Sequence, residues 1–70
     1  MEQQLVEGTR VNLVPRDNHL KTVVNRSGRE WAVCGPVMPM ICFHGSTGVM
    51  IKSLVSGEIR NARLTDLEIV

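Results

Sequence analysis

Aromatic residues are nearly absent from this chain, whose 70 residues include one Trp, one Phe and no Tyr. This scarcity argues against a deep aromatic cage for a ligand, and it leaves Val, Ile, Leu and Met to build the interior. A domain of this length buries only about 60% of the surface that its unfolded chain exposes. The sequence therefore predicts a single small domain over residues 1–70 with a modest aliphatic core.

Cysteine is also scarce. Cys34 and Cys42 are the two thiols, whereas small secreted scaffolds held by disulfides usually carry more, so we expect both thiols to be free. Zinc sites use closely spaced pairs of Cys or His ligands, and Cys42 and His44 with a distant His19 do not form such pairs. A Cys–His nucleophile would also lack a third group to orient it. We expect no metal, no cofactor, no catalytic residue and therefore no enzyme.

Long apolar runs are missing as well. No segment approaches the roughly 20 apolar residues that a membrane-spanning helix needs, so we expect no membrane partner. The chain begins with Met1 to Gln4, a start without the basic and apolar segments of a secretion signal. The expected protein is soluble and cytoplasmic.

Charge is nearly balanced over the whole chain but unevenly placed. The formal net charge is +1, yet all eight basic residues lie between Gly8 and Arg63 with only three of the seven acidic ones. Such asymmetry favours a local positive face, or simply solvated arginines at loop tips. The residues that we assign to a basic binding face are Arg26, Arg29, Lys52, Arg60 and Arg63. Arginine suits phosphate contacts, and nucleic acid is the partner that this face predicts.

Apolar and polar residues alternate from Thr9 to Leu13, which is typical of a half-buried strand. Further extended segments are predicted at Leu20 to Asn25, Glu30 to Val33, Met40 to His44 and Val49 to Leu54. Pro39 interrupts the segment from Val37 to Met40, so that segment is expected at a sheet edge or in a loop. Lys52 and Arg60 are expected side by side on neighbouring strands.

The stretch from Gly48 to Val70 indicates a strand, a tight turn at Ser56-Gly57, a second strand and a closing strand. Leu64 to Leu67 is too short for an α-helix and suits one 3-10 turn before that closing strand. Strands of this length, separated by turns at short intervals, are typical of a small all-β barrel or sandwich.

Gly8 to Val11, the lone Trp31 and the block from Gly57 to Val70 together resemble the small SH3-like barrels. This group includes the KOW domains of transcription and ribosomal factors and the plasmid-borne type II dihydrofolate reductases. The resemblance implies an all-β fold, a small SH3-like barrel of about five strands with one short 3-10 turn near the C-terminus. The reductases carry a Val-Gln-Ile-Tyr run where this chain has Ile59 to Ala62, so their activity is not expected here.

A protein-interaction module, an adaptor or inhibitor of a larger protein, is the competing interpretation. The Pro-broken apolar segment is hard to bury in so small a barrel and is suited to an interface. The residues assigned to that interface are Trp31, Val37, Met38 and Met40. Trp31 has two further interpretations, as the core anchor or as a ring that stacks on a base. A second copy of the chain is another possible occupant of the segment, which would give a homodimer, and an oligomeric barrel enzyme is a third class.

Overall fold

The computed structural model describes residues 6–70, so the start of the chain on which the prediction about a secretion signal depends lies outside this range. Within it, no helix is long and apolar enough to cross a membrane. The strands are β1 (Arg10–Leu13), β2 (Glu30–Val33), β3 (Met38–Pro39), β4 (Thr47–Ser53), β5 (Ile59–Arg63) and β6 (Leu67–Ile69). Helix α1 spans Asn18–Ser27, and two 3-10 turns span Ile41–Phe43 and Leu64–Asp66.

All described strands join one curled antiparallel sheet. The order along the sheet is β3-β4-β2-β1-β6, and β5 pairs with β4. The second 3-10 turn lies between β5 and β6, as the sequence predicted. The predicted β-dominated, barrel-like fold is confirmed, with α1 and the first 3-10 turn as additions. The strand order and the position of the second 3-10 turn are compatible with an SH3-like barrel.

The core lies between α1 and the inner face of the sheet. Its buried apolar residues are Val11, Leu13, Leu20, Val23, Trp31, Val33, Val49, Ile51 and Ala62. Trp31 is fully buried, and its indole Nε1 donates a hydrogen bond to the carbonyl oxygen of Gly28 at 2.9 Å. The predicted aliphatic core is confirmed, and Trp31 is its largest fully buried side chain.

Helix α1 replaces the strand that was predicted from Leu20 to Asn25, so that prediction is wrong. Asp17 caps the helix, because its side chain accepts a hydrogen bond from the backbone N–H of Leu20 at 2.8 Å. Gly28 ends it with a φ of 80°, and its N–H donates to the carbonyl oxygen of Val24 at 2.7 Å.

One side of α1 packs on the sheet. Leu20, Val23 and Ser27 are spaced at helical intervals and are all buried. Val23 and Val24 favour strands by intrinsic propensity, but propensity is a weak preference that burial of one helical face readily overrides. The helix covers the inner face of the sheet and does not cover the opposite face.

The chain between β2 and β4 also differs from expectation. Met40 to His44 was predicted to be extended, and that prediction is wrong because Ile41–Phe43 forms a 3-10 turn. His44 ends this turn in the left-handed region with a φ of 56°. The preceding segment does lie at a sheet edge as predicted, where β3 pairs with the start of β4. Residues 54–58, not a two-residue turn, connect β4 to β5.

Candidate binding surface

The side of the sheet opposite the core is the surface that we call the outer face. Residues directly opposite each other on paired strands share a face, and Arg10, Ala32, Lys52 and Ile59 are opposite one another in turn across β1, β2, β4 and β5. A parallel row pairs Met50 with Asn61, and another places Gly48 between Met38 and Arg63. The exposed residues of these rows are Arg10, Met38, Met50, Lys52, Ile59, Asn61 and Arg63.

Large apolar side chains are exposed on this face. Met38 is 48% exposed, Met50 is 40% exposed and Ile59 is 56% exposed. Ile41, on the neighbouring 3-10 turn, is almost wholly exposed, and Val37 is 38% exposed. Several such residues in one region are unusual for a surface that meets only water, and methionine is a residue of adaptable binding surfaces.

The charges of the outer face lie in neighbouring rows. Arg10, Lys52 and Arg63 lie in the rows that hold the exposed apolar residues. Glu30 and Glu68 lie on either side of β1, in the row next to that of Arg10 and Lys52. No carboxylate in the described range 6–70 lies within ion-pair distance of the three cations. The rows that hold the exposed apolar residues are therefore positively charged.

Two of the predicted basic residues lie elsewhere, around Glu58. Arg26 contacts both carboxylate oxygens of Glu58, the closer through a nitrogen at 2.8 Å. Arg60 is 3.4 Å from the same carboxylate and 2.9 Å from the Nε2 of His19. Arg60 pairs with Ile51 across the hairpin and so lies on the inner side of the sheet, whereas Lys52 lies on the outer face. The expectation that Lys52 and Arg60 are neighbours is wrong.

Glu58 belongs to a hydrogen-bonded network that fastens α1 to the connection between β4 and β5. The buried Ser27 hydroxyl donates to Glu58 Oε1 at 2.6 Å and accepts from the Ser56 hydroxyl at 2.9 Å. The Ser53 hydroxyl donates to the carbonyl oxygen of Ser27. The hydrogen bond from Ser27, then those from Arg26, hold the pKa of Glu58 below its ordinary value of 4.5. This arrangement has a structural role, since its cations are already paired.

A depression at the edge of the outer face is the second feature of this surface, and we call it the Phe43 pocket. It has a volume of about 530 Å³. Its lining consists of Phe43, His44, Ser46, Thr47, Arg63, Leu64 and Thr65. The guanidinium carbon of Arg63 lies 5.1 Å from the centroid of the Phe43 ring, within the range of a cation–π contact. Gly48 lies beneath, where an added Cβ would be 2.9 Å from the ring.

The other predicted residues are placed as follows. Arg29 is exposed in the turn between α1 and β2, apart from the outer face. Met40 is half-buried and covers Gly48, where an added Cβ would also meet its sulfur. Trp31 is fully buried in the core, so its ring is not accessible for contact with a partner or for stacking on a base. Cys34 and Cys42 are both free thiols.

Histidine, cysteine and carboxylate side chains do not gather in threes anywhere in residues 6–70 in a way that would hold a metal ion. The sequence did not indicate that Arg10, Met50 and Ile59 share one face, or that Arg63 lies over Phe43. Alternation along each strand signals the outward direction of Arg10 and Met50. The Phe43 pocket has no such signal, because it depends on how the 3-10 turn folds back over Gly48.

No family model matches this chain, and the comparisons with curated proteins and with solved structures found no similar protein. The resemblance to KOW domains and type II reductases therefore depends on the sequence pattern alone, and the strand order is compatible only with the broader class of SH3-like barrels.

Proposed function

We propose that the protein is a non-enzymatic interaction module that binds an acidic, partly apolar segment of a larger protein through its outer face. The observation that carries this proposal is the combination of exposed Met38 and Met50 with Arg10, Lys52 and Arg63 in the adjoining rows. Apolar contact supplies the affinity, while the three cations select and steer an acidic partner.

The cations support a short acidic segment better than a nucleic acid. Of the predicted nucleic-acid residues, Arg26 and Arg60 share the carboxylate of Glu58 and Arg29 lies in a separate turn. Binding to a phosphate backbone depends on several cations that act together. Exposed methionines between the remaining cations favour a surface with apolar side chains of its own. Nucleic-acid binding stays a prediction and is one outcome of the test below.

A second copy of the chain is the competing occupant of the outer face. A two-fold contact places the same patch on both sides, and Glu30 and Glu68 would let the cations of one copy meet the carboxylates of the other. A species heavier than the 7.8 kDa monomer in sedimentation would therefore replace the proposed partner with a second copy.

The test measures fluorescence anisotropy with three probes: a labelled peptide of alternating Glu and Leu, the same peptide with Lys for Glu, and a labelled DNA duplex. We expect the Glu-Leu peptide to bind and the Lys-Leu peptide and the duplex not to. Met50→Asp and Lys52→Glu should each weaken binding about tenfold, because they remove an apolar contact and reverse a charge at the contact.

Lys21→Glu is the matched control, because Lys21 is an exposed lysine on α1, away from the outer face. It makes the same change in net charge and should leave the affinity unchanged. Equal weakening by Lys21→Glu and Lys52→Glu would show nonspecific attraction and contradict the proposal. Tighter binding to the duplex than to the peptide would replace the proposal with the nucleic-acid prediction. The logarithm of that binding constant should then fall against the logarithm of salt concentration with a slope of about −0.9 for each phosphate contacted.

A further inference from the structure

The Phe43 pocket is continuous with the outer face. Gly48 lies between Met38 and Arg63 in one row across three strands, so the exposed Met38 and the pocket cation are about 10 Å apart at backbone level. An extended partner segment that contacts Met38 therefore reaches the pocket within about three residues. The side chains that line the pocket therefore indicate which kind of side chain in that segment would enter it.

The polar lining of the pocket includes several groups that can donate hydrogen bonds. Arg63 supplies a guanidinium, Ser46, Thr47 and Thr65 are exposed residues with hydroxyls, and His44 also lines the pocket. The lining contains no carboxylate. Asp66, which follows Thr65 in the chain, is instead ion-paired with Arg16 at 3.5 Å. The hydroxyls can donate or accept whereas the guanidinium only donates, so an acceptor with negative charge satisfies the whole set.

Two structural features hold Arg63 in place. Its guanidinium lies over the Phe43 ring, and its backbone is paired opposite Gly48 at the end of β5. A planar guanidinium positioned by stacking loses less freedom when it forms paired hydrogen bonds to an oxyanion. The Phe43 ring also gives the pocket an apolar wall, which suits an anion attached to a carbon group.

We propose that the Phe43 pocket is an anion subsite of the outer face and that it takes a phosphate monoester on a side chain of the partner segment. A phosphate monoester presents three strong acceptor oxygens, enough to engage the Arg63 fork and the hydroxyls of Ser46, Thr47 and Thr65 together. A carboxylate has only two oxygens and satisfies fewer of these donors. The assignment of a protein-borne phosphate rests on the proposed function.

The test is an amide NMR titration of the full chain with phenyl phosphate, and in parallel with phenylacetate. We expect phenyl phosphate to shift the amides of Ser46, Thr47 and Thr65 and to bind more tightly than phenylacetate. Arg63→Gln should weaken this binding about tenfold, which is the effect of losing a charge-assisted pair. Lys21→Gln, on α1 and outside the pocket lining, should leave it unchanged.

Absence of shifts at these three amides, or equal affinity of wild type and Arg63→Gln, would overturn the subsite. Phenylacetate binding as tightly as phenyl phosphate would overturn the phosphate assignment. Neither probe needs the protein partner, so this result and that of the Glu-Leu peptide are independent. Binding of phenyl phosphate without binding of the Glu-Leu peptide would support the subsite and refute the proposed function. Binding of the peptide without binding of phenyl phosphate would refute the subsite alone.

Discussion

The two faces of this sheet carry different kinds of side chain. The inner face is covered by α1, and the side chains buried between them include Ser27 of α1 and Ser53 of β4, whose hydroxyls are hydrogen-bonded. The outer face leaves Met38 and Met50 exposed beside cations without a described carboxylate partner.

The difference separates stability from binding. The inner face gains free energy of folding from burial and cannot lose a side chain without leaving a cavity or an unpaired group. The outer face is already hydrated, so its side chains contribute little to folding and are free to be selected for contacts with a partner. Substitutions that respond differently on the two faces measure how complete this division is.

The largest expected effect is the loss of Trp31 from the inner face. Trp31→Ala removes the largest fully buried side chain and its hydrogen bond to Gly28, and we expect a cost of about 3–5 kcal/mol. For a domain this small, such a loss is a large part of the total stability. Urea unfolding should show a much lower midpoint or an unfolded chain without denaturant.

Met50→Ala on the outer face is the comparison for Trp31→Ala. Its side chain is 40% exposed, so we expect a change of no more than about 0.5 kcal/mol. A large loss of stability in Met50→Ala would mean that the outer face is covered in solution, which contradicts the division between the two faces.

An intermediate effect is expected from acid, through Glu58. Its pKa is lowered in the folded chain by the Ser27 hydroxyl and then by Arg26. Folding therefore gains stability from ionised Glu58 above its unfolded pKa, and this gain is lost as the pH falls below 4.5 toward the folded pKa. Urea unfolding midpoints measured from neutral to acid pH should therefore decrease as the pH falls below 4.5.

Glu58→Gln is the variant that isolates this contribution. We expect it to be less stable than the wild type at neutral pH, since it loses the ion pairs with Arg26 and Arg60, and to lose less stability on acidification. Arg16 contacts Asp66 through one nitrogen at the longer distance of 3.5 Å, so Arg16→Gln provides a control with a smaller effect. An unchanged acid profile in Glu58→Gln would contradict the assigned role.

Much of the strand pattern could be predicted from sequence, because period-two alternation reports burial directly. Alternation from Thr9 to Leu13 places Val11 and Leu13 on one buried face, and the structure confirms it. The helix was missed because Val23-Val24 suggested a strand. Its signals were present in Asp17, a capping residue, and in Gly28, a residue suited to the positive φ that ends the helix.

The binding surface was harder to predict, although one error was avoidable. With a two-residue turn at Ser56-Gly57, Lys52 would already oppose Asn61, and Arg60 would point to the other face. The observed connection shifts the pairing but keeps this parity, with Lys52 opposite Ile59. The Phe43 pocket depends on long-range packing over Gly48, which local patterns do not report.

The sharpest comparison of the two faces uses one small change at two isoleucines on paired strands. Ile51 is fully buried on β4 and Ile59 is 56% exposed on β5. Ile51→Val should cost about 0.5–1.5 kcal/mol, since it leaves a methyl-sized cavity. Ile59→Val should change stability by less than about 0.5 kcal/mol, since water already reaches the removed group. Urea unfolding of both variants gives the difference, and equal losses would show that Ile59 is buried in solution and that the outer face is occupied.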